Sequence, residues 1–118
     1  MNLAFHRGPS CLVARVSGEL DLSTAGAFKE RVDREMDLSG APNLVLNLRN
    51  LEFVDSTGLG AILGRMRRVT SGGGKMVLAS VPPRVASMLE MAGLLQMLPM
   101  ARTEEDALRQ LSCGGEMS

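Results

Sequence analysis

The sequence predicts one α/β domain in which a small mixed β-sheet is flanked by about four α-helices. The chain has 118 residues, which is enough for one ordinary domain and too few for two. Hydrophobic residues make up 45% of it and aromatic residues only 3%, so aliphatic side chains and methionines must fill the core. Strand patterns alternate with helix patterns, without a repeat or a linker, and we therefore expect residues 1–118 to form a single domain.

Two strands and a helix are predicted at the start of the chain. Residues 2–5 and 11–16 read as strands around a turn that contains Gly8 and Pro9. Ser23 or Thr24 is then expected to cap a helix. The predicted inward face of this helix consists of Ala25, Phe28, Val32 and Met36.

The middle of the chain predicts a strand, a helix and another strand. Residues 44–48 are almost entirely apolar, as in a strand that is covered on both faces, and residues 49–54 are predicted to be a short connection. The inward face of the second helix is predicted to be Leu59, Ile62, Leu63, Met66 and Val69. Glycines at 72–74 end the helix, and residues 76–79 form the next buried strand.

Two further helices are predicted in the last third. The third begins at residues 82–83, where proline suits a first helical turn, and ends at Gly93. A brief strand is predicted at 96–98. The fourth helix begins at 103–106, with acids that suit the helix dipole, and ends at 114–115. The predicted inward residues are Val85, Met88, Leu89 and Ala92 in the third helix and Leu108 and Leu111 in the fourth.

Composition argues against several classes of function. Lys plus Arg and Asp plus Glu both number 13, so no net charge attracts nucleic acid or an anionic membrane. His6 is the sole histidine, and Cys11 and Cys113 lack the spacing of a metal site and are expected to be reduced thiols. The sequence shows neither a signal-peptide pattern nor an apolar run of about 20 residues. We expect a cytoplasmic protein without a metal or a cofactor.

The segment Asp55-Ser56-Thr57-Gly58 lies between a predicted strand and a helix, and it is the candidate functional site. Open α/β domains place ligands at this end of their strands. A helix N-terminus also offers free N–H groups and a partial positive charge, which favours added negative charge on a serine there. Because the same residue types commonly cap helices, capping alone is the competing interpretation.

Two enzymatic or nucleotide-binding interpretations fit this loop poorly. A hydrolase elbow needs a glycine where Val54 stands, and the general base would have to be His6. Gly58, Gly60 and Gly64 miss the G-x-G-x-x-G spacing of dinucleotide sites by one residue. We therefore predict no catalytic residue, and we expect Gly60 and Gly64 to let the helix pack closely against a neighbour.

The chain resembles the anti-sigma factor antagonists of the STAS domain family along nearly its whole length. The most specific part is residues 53–60, F-V-D-S-T-G-L-G, together with G-E-L-D at 18–21. The other matching segments are residues 24–25, 45–48, 61–65, 73–77 and 92–94. Within the family the chain is most similar to the sporulation branch, which opposes the anti-sigma-F kinase.

The resemblance implies a regulator and not an enzyme. Such an antagonist, when unphosphorylated, binds an anti-sigma factor that is also a serine kinase, and so releases the sigma factor. The kinase phosphorylates the serine after the aspartate, here Ser56, and a serine phosphatase reverses the change. Thr57 stands where the family often has serine. The implied partner-binding residues are Glu19, Asp21, Thr24, Asp55, Ser56, Thr57 and Gly58. The implied process is sporulation transcription, and we expect a monomer when the protein is free.

Two other functions stay open at this point. A related STAS regulator of a stress-response sigma pathway would share the chemistry of Ser56 and answer to another kinase. A nucleotide-binding or hydrolytic domain would use residues 55–60 directly. The basic cluster Arg65, Arg67 and Arg68 is either a partner surface or a solvated helix face.

Overall fold

The computed structural model describes residues 1–112, which form five strands and four helices. The strands are β1 Asn2–Arg7, β2 Cys11–Leu20, β3 Asn43–Val54, β4 Met76–Ala79 and β5 Met100–Ala101. The helices are α1 Ala25–Ser39, α2 Ser56–Ser71, α3 Pro83–Met91 and α4 Glu104–Gln110.

The five strands form one mixed sheet in the order β1-β2-β3-β4-β5. β1 is antiparallel to β2, and all the other pairs are parallel, with α1, α2 and α3 as the crossovers between successive parallel strands. Parallel neighbours require such crossovers, which is why strands and helices alternate along the chain. The predicted α/β fold class is confirmed.

The two faces of the sheet carry cores of different size. The larger core lies under α1, α2 and α3, and the predicted face of α1 is buried there in full. In α2 the predicted Leu59, Ile62 and Val69 are buried, while Leu63 and Met66 pack at the margin. On the opposite face, α4 covers a smaller cluster through Ala107.

β3 is longer than the sequence predicted, because residues 49–54 continue the strand instead of forming a connection. Two register shifts between β2 and β3 interrupt the pleat, so the buried residues Leu48, Leu51 and Val54 recur every third position instead of every second. β4 pairs only with residues 44–47 of β3. The ends of β2 and β3 therefore extend past the rest of the sheet; residues 18–24 and 51–58 are called the tip below.

Several details of the last third were predicted wrongly. The last strand lies at Met100–Ala101 and not at 96–98, and Ala92, expected to face inward, is exposed. Leu108 and Leu111 do pack against the smaller core as expected, but they are only partly buried, and the fully buried residue of α4 is Ala107, which was not predicted. α4 ends at Gln110, and the predicted end at 114–115 lies outside the described residues.

Two expectations about the chain as a whole can be compared with the described part. Cys11 is buried at the start of β2 and is disulfide-bonded, not a reduced thiol as expected; Cys113 lies outside the described residues. Within residues 1–112, none of the helices combines the length and apolar character that crossing a bilayer requires.

Candidate functional site

Asp55 joins the two segments of the tip. It is the N-cap of α2, and its Oδ1 accepts a hydrogen bond from the Gly58 N–H at 2.8 Å, as in an ordinary aspartate cap. Its other oxygen, Oδ2, accepts from the Leu22 N–H at 3.1 Å. One carboxylate therefore satisfies a backbone donor of the helix and one of the β2–α1 loop, which fixes the loop against the helix start.

The β2–α1 loop is held by a second carboxylate. Asp21 Oδ1 accepts from the Ser23 hydroxyl at 2.8 Å, from the Ser23 N–H at 3.0 Å and from the Thr24 N–H at 3.2 Å. These bonds favour the ionised carboxylate, so the pKa of Asp21 is lowered, with the Ser23 hydroxyl as the largest cause. Asp21 is therefore ionised at neutral pH.

Thr24 precedes α1, but its hydroxyl does not cap the helix. The hydroxyl donates to the Glu19 carbonyl at 2.9 Å and accepts from the Asp21 N–H at 2.9 Å. The predicted side-chain cap by Ser23 or Thr24 is therefore wrong. Thr24 instead ties the loop back to the end of β2, where the Glu19 side chain is exposed.

Ser56 and Thr57 occupy the exposed first turn of α2. Within residues 1–112 the Ser56 hydroxyl makes no hydrogen bond to the protein, so it is open to a partner. Early N–H groups of a helix point toward its N-terminus and favour negative charge there. Ser56 thus combines an accessible hydroxyl with a local field that tolerates a phosphate.

Gly58 allows α2 to begin directly against the end of β2. A Cβ at this position would lie 2.2 Å from the Leu20 carbonyl oxygen and 2.8 Å from Val54 Cγ2, which no real structure tolerates. At Gly60 and Gly64 an added Cβ would meet nothing within 4 Å. The expectation that those two glycines mediate close packing is therefore wrong, and Gly58 has this function in their place.

Two exposed apolar side chains at the tip were not identified as site residues. Leu22 is 77% exposed and Phe53 is 40% exposed. Phe53 lies opposite Glu19 in the parallel pairing of β2 and β3. An apolar residue between Asp21 and Ser23 was the sequence signal for Leu22, while Phe53 belonged to the matched motif without any role of its own.

The basic cluster on α2 divides into three environments. Arg65 is buried, and its Nε lies 3.0 Å from Asp33 Oδ1 on α1; burial lowers the pKa of its guanidinium. Arg68 bridges Asp33 and Asp37, also on α1. Of the three arginines of the cluster, Arg67 alone is exposed and forms no ion pair with another residue in the range 1–112. Most of the cluster therefore holds α2 to α1.

The geometry does not support a serine nucleophile at this site. His6 pairs with Val13 near the start of β2, whereas Ser56 lies beyond Leu20 at its end. The strand runs seven residue steps from Val13 to Leu20, or about 23 Å at the usual rise of a β-strand. In the described part of the chain no group of three His, Cys, Asp or Glu side chains could hold a metal ion.

The family model of the STAS domain matches residues 2–107. The chain belongs to the STAS domain family. A curated relative, the anti-sigma F factor antagonist of Paenibacillus polymyxa, is 38% identical over 111 residues, which cover 94% of this chain and 93% of the relative. The anti-sigma-B factor antagonist of Staphylococcus aureus is 30% identical over 84 residues, which cover 71% of this STAS chain and 77% of that protein.

A solved structure extends the similarity to three dimensions. The unphosphorylated anti-sigma factor antagonist SpoIIAA has a TM-score of 0.77 and 25% identity to this STAS chain, over 92% of this chain and 96% of that one. The phosphorylated form of the Bacillus SpoIIAA has a TM-score of 0.71 at 25% identity, over 92% and 98% of the two chains.

Proposed function

We propose that this STAS protein is a cytoplasmic anti-sigma factor antagonist. In its unphosphorylated form it binds an anti-sigma factor that is also a serine kinase, and it thereby releases the sigma factor. The names of the relatives support the class, and the similarity to an anti-sigma F factor antagonist favours sporulation transcription. The similarity to an anti-sigma-B factor antagonist supports a stress-response pathway as the second candidate.

The observation that carries the proposal is the setting of Ser56. Its hydroxyl is exposed in the first turn of α2, beside the capping Asp55, and is not bonded to any other described residue. The kinase would transfer the γ-phosphoryl group of ATP to Ser56 Oγ, releasing ADP and the hydroxyl proton. The domain itself acts as a substrate and a binding module, without catalysing a reaction, and a serine phosphatase would restore the hydroxyl.

Phosphorylation would weaken the complex without unfolding the domain. A phosphoserine adds a charge of about −1.5 to −2, which the N-terminus of α2 favours electrostatically. In the complex, however, Ser56 must face the nucleotide phosphates, because it receives the γ-phosphoryl group. The new phosphate would then lie between two other negative groups, Asp55 and ADP, and would repel both. A penalty of only about 1.4 kcal/mol lowers the affinity tenfold.

The other proposed contact residues divide by what their side chains do. Glu19 and Thr57 are exposed and free to meet a partner directly. Asp21, Thr24 and Asp55 are bonded within the tip, and we propose that they shape the surface that the partner meets. Gly58 contributes its close approach to β2 and the absence of a side chain.

The test is intact-mass analysis after incubation with the anti-sigma factor of the source organism and ATP. We expect one added phosphate on Ser56, none in Ser56→Ala, and unchanged labelling in the hydroxyl control Ser87→Ala, which changes an exposed serine of α3 outside the tip. Ser56→Ala should keep its affinity for the anti-sigma factor, and Ser56→Asp should lose at least tenfold. The proposal would be refuted if the wild-type chain neither bound the anti-sigma factor nor gained a phosphate, while the same kinase preparation phosphorylated a different antagonist protein.

A further inference from the structure

Two of the exposed large apolar side chains lie at the tip, and the phosphorylation switch gives neither of them a role. Leu22 is 77% exposed and Phe53 is 40% exposed. Single exposed apolar residues are ordinary on protein surfaces, whereas larger exposed apolar patches that are rimmed by polar residues mark interaction sites. The remaining ones in the described chain, Leu38, Met91 and Met97, lie on other parts of the fold.

Leu22 and Phe53 flank the residue that organises the tip. The Leu22 N–H donates to Asp55 Oδ2 at 3.1 Å, so the Leu22 side chain starts from a fixed backbone position. Phe53 lies two residues before Asp55 in β3, where the second register shift directs it to the exposed side. Both side chains therefore start from backbone that is ordered by a hydrogen bond or by strand pairing, within three residues of Ser56 for Phe53 and bonded to its neighbour Asp55 for Leu22.

The charges around these two side chains identify the chemistry of the partner. The tip contains four carboxylates, those of Glu19, Asp21, Glu52 and Asp55, and no Lys, Arg or His. None of the four forms a salt bridge with another residue in the range 1–112. An apolar centre with an unneutralised acidic rim is complementary to an apolar pocket bordered by basic side chains.

We infer that Leu22 and Phe53 are the apolar anchors by which the tip docks into such a pocket on the anti-sigma kinase. This inference rests on the proposed function and adds the residues that supply the affinity. A few residues in well-packed, fully desolvated pockets near the centre of an interface contribute most of its binding energy, while rim charges mainly set the association rate. The carboxylates then orient the partner, and the anchors hold it over Ser56.

The experiment measures binding of unphosphorylated variants to the anti-sigma factor of the source organism in the presence of ADP. Leu22→Ser and Phe53→Ser should each weaken binding about tenfold, within the range seen for anchors of protein interfaces. The matched controls Leu38→Ser and Met91→Ser remove side chains that are 59% and 88% exposed elsewhere, and they should bind like the wild type. Binding of the wild type should also weaken as salt is raised from about 50 to 500 mM. The Debye length falls over this range from about 14 to 4 Å, so the rim carboxylates are screened from the partner.

Phosphorylation kinetics separate docking from a general structural effect. Loss of an anchor should raise KM for the antagonist and leave kcat within about twofold, because the chemistry at Ser56 is untouched. Phe53 is partly buried, so Leu22→Ser tests the inference by itself if Phe53→Ser lowers the melting temperature.

The outcomes distinguish this inference from the proposed function. If the wild type is phosphorylated on Ser56 but the tip variants bind as tightly as Leu38→Ser and Met91→Ser, the docking inference is wrong and the switch stands. If the wild type neither binds nor is modified, the proposed function itself fails.

Discussion

Replacing Gly58 by alanine should lower the free energy of unfolding, whereas the same substitution at Gly60 should raise it. The added Cβ would lie 2.2 Å from the Leu20 carbonyl oxygen and 2.8 Å from Val54 Cγ2. Backbone oxygen cannot rotate away, so the start of α2 must move relative to β2. The movement would stretch the bond from the Asp55 N–H to the Leu20 carbonyl, now 3.2 Å.

The magnitude follows from opposing terms. Overpacking costs about 1–3 kcal/mol, and a weakened hydrogen bond costs about 1 kcal/mol. Alanine in place of glycine returns about 1 kcal/mol of helix propensity. Gly58→Ala should therefore lower the free energy of unfolding by about 2 kcal/mol. Gly60→Ala and Gly64→Ala, where an added Cβ meets nothing within 4 Å, should raise it by about 0.5–1 kcal/mol.

Urea denaturation of the three variants measures these differences directly, and thermal melting should show Gly58→Ala lower by roughly 8 °C at about 4 °C per kcal/mol. An unchanged m value would show that the same two states are compared. If Gly58→Ala were as stable as Gly60→Ala, the close contact between α2 and β2 would not exist as described.

Two further predictions concern the charged contacts that hold the helices to the rest of the fold. Asp33→Ala should destabilise the protein by about 2–3 kcal/mol, because it leaves the buried Arg65 charge unpaired. This is less than the roughly 3–5 kcal/mol of a fully buried pair, since Asp33 is partly exposed. Arg65→Met should cost less than about 1 kcal/mol, since it removes the buried charge and leaves Asp33 paired with Arg68. Urea denaturation of both variants tests this order, and the reverse order would contradict it. Hydrogen bonds from the Arg15 guanidinium lower the pKa of Glu104 below its unfolded value, so the stabilisation is present above about pH 4.3 and is lost as the pH falls through the lowered pKa. Glu104→Gln should flatten the decline in stability below that pH in denaturation curves, while a slope identical to the wild type would show that the pair does not contribute.

The helices were predictable because their apolar residues repeat at a spacing that only a helix brings to one face. Phe28, Val32 and Met36 are buried in α1, and Ile62 and Val69 in α2, as the periodicity requires. The ends of α1 and α2 were marked by Gly40 and Gly72. The fold class followed from the alternation of these helices with apolar strands.

The end of β3 could not be predicted by the same reasoning. A regular strand buries every second residue, whereas two register shifts make Leu48, Leu51 and Val54 the buried ones. This spacing of three does not match the alternation of an amphipathic strand. A bulge is produced by pairing with another strand, so its signal is not present in the segment itself.

The helix start at the candidate site was predictable from the local motif, but the organisation of the segment around it came from contacts between distant residues. The motif placed Ser56 at a helix start, and Asp55 is the cap of that helix. The bond from Leu22 to Asp55 spans 33 residues, and no local pattern specifies it. Likewise, three nearby arginines look equivalent in sequence, and only the packing of α1 on α2 distinguishes buried Arg65 from exposed Arg67.

The bonds of Asp55 to both segments of the tip also have a consequence for the thermodynamics of association. A loop that becomes ordered only on binding loses conformational entropy at that moment, which reduces the affinity. Here the Leu22 and Gly58 N–H groups are already bonded to one carboxylate, and Thr24 is bonded to the end of β2. Most of that entropy is lost during folding. A partner would therefore meet a preformed surface, and changes in affinity would appear chiefly in the dissociation rate of the complex.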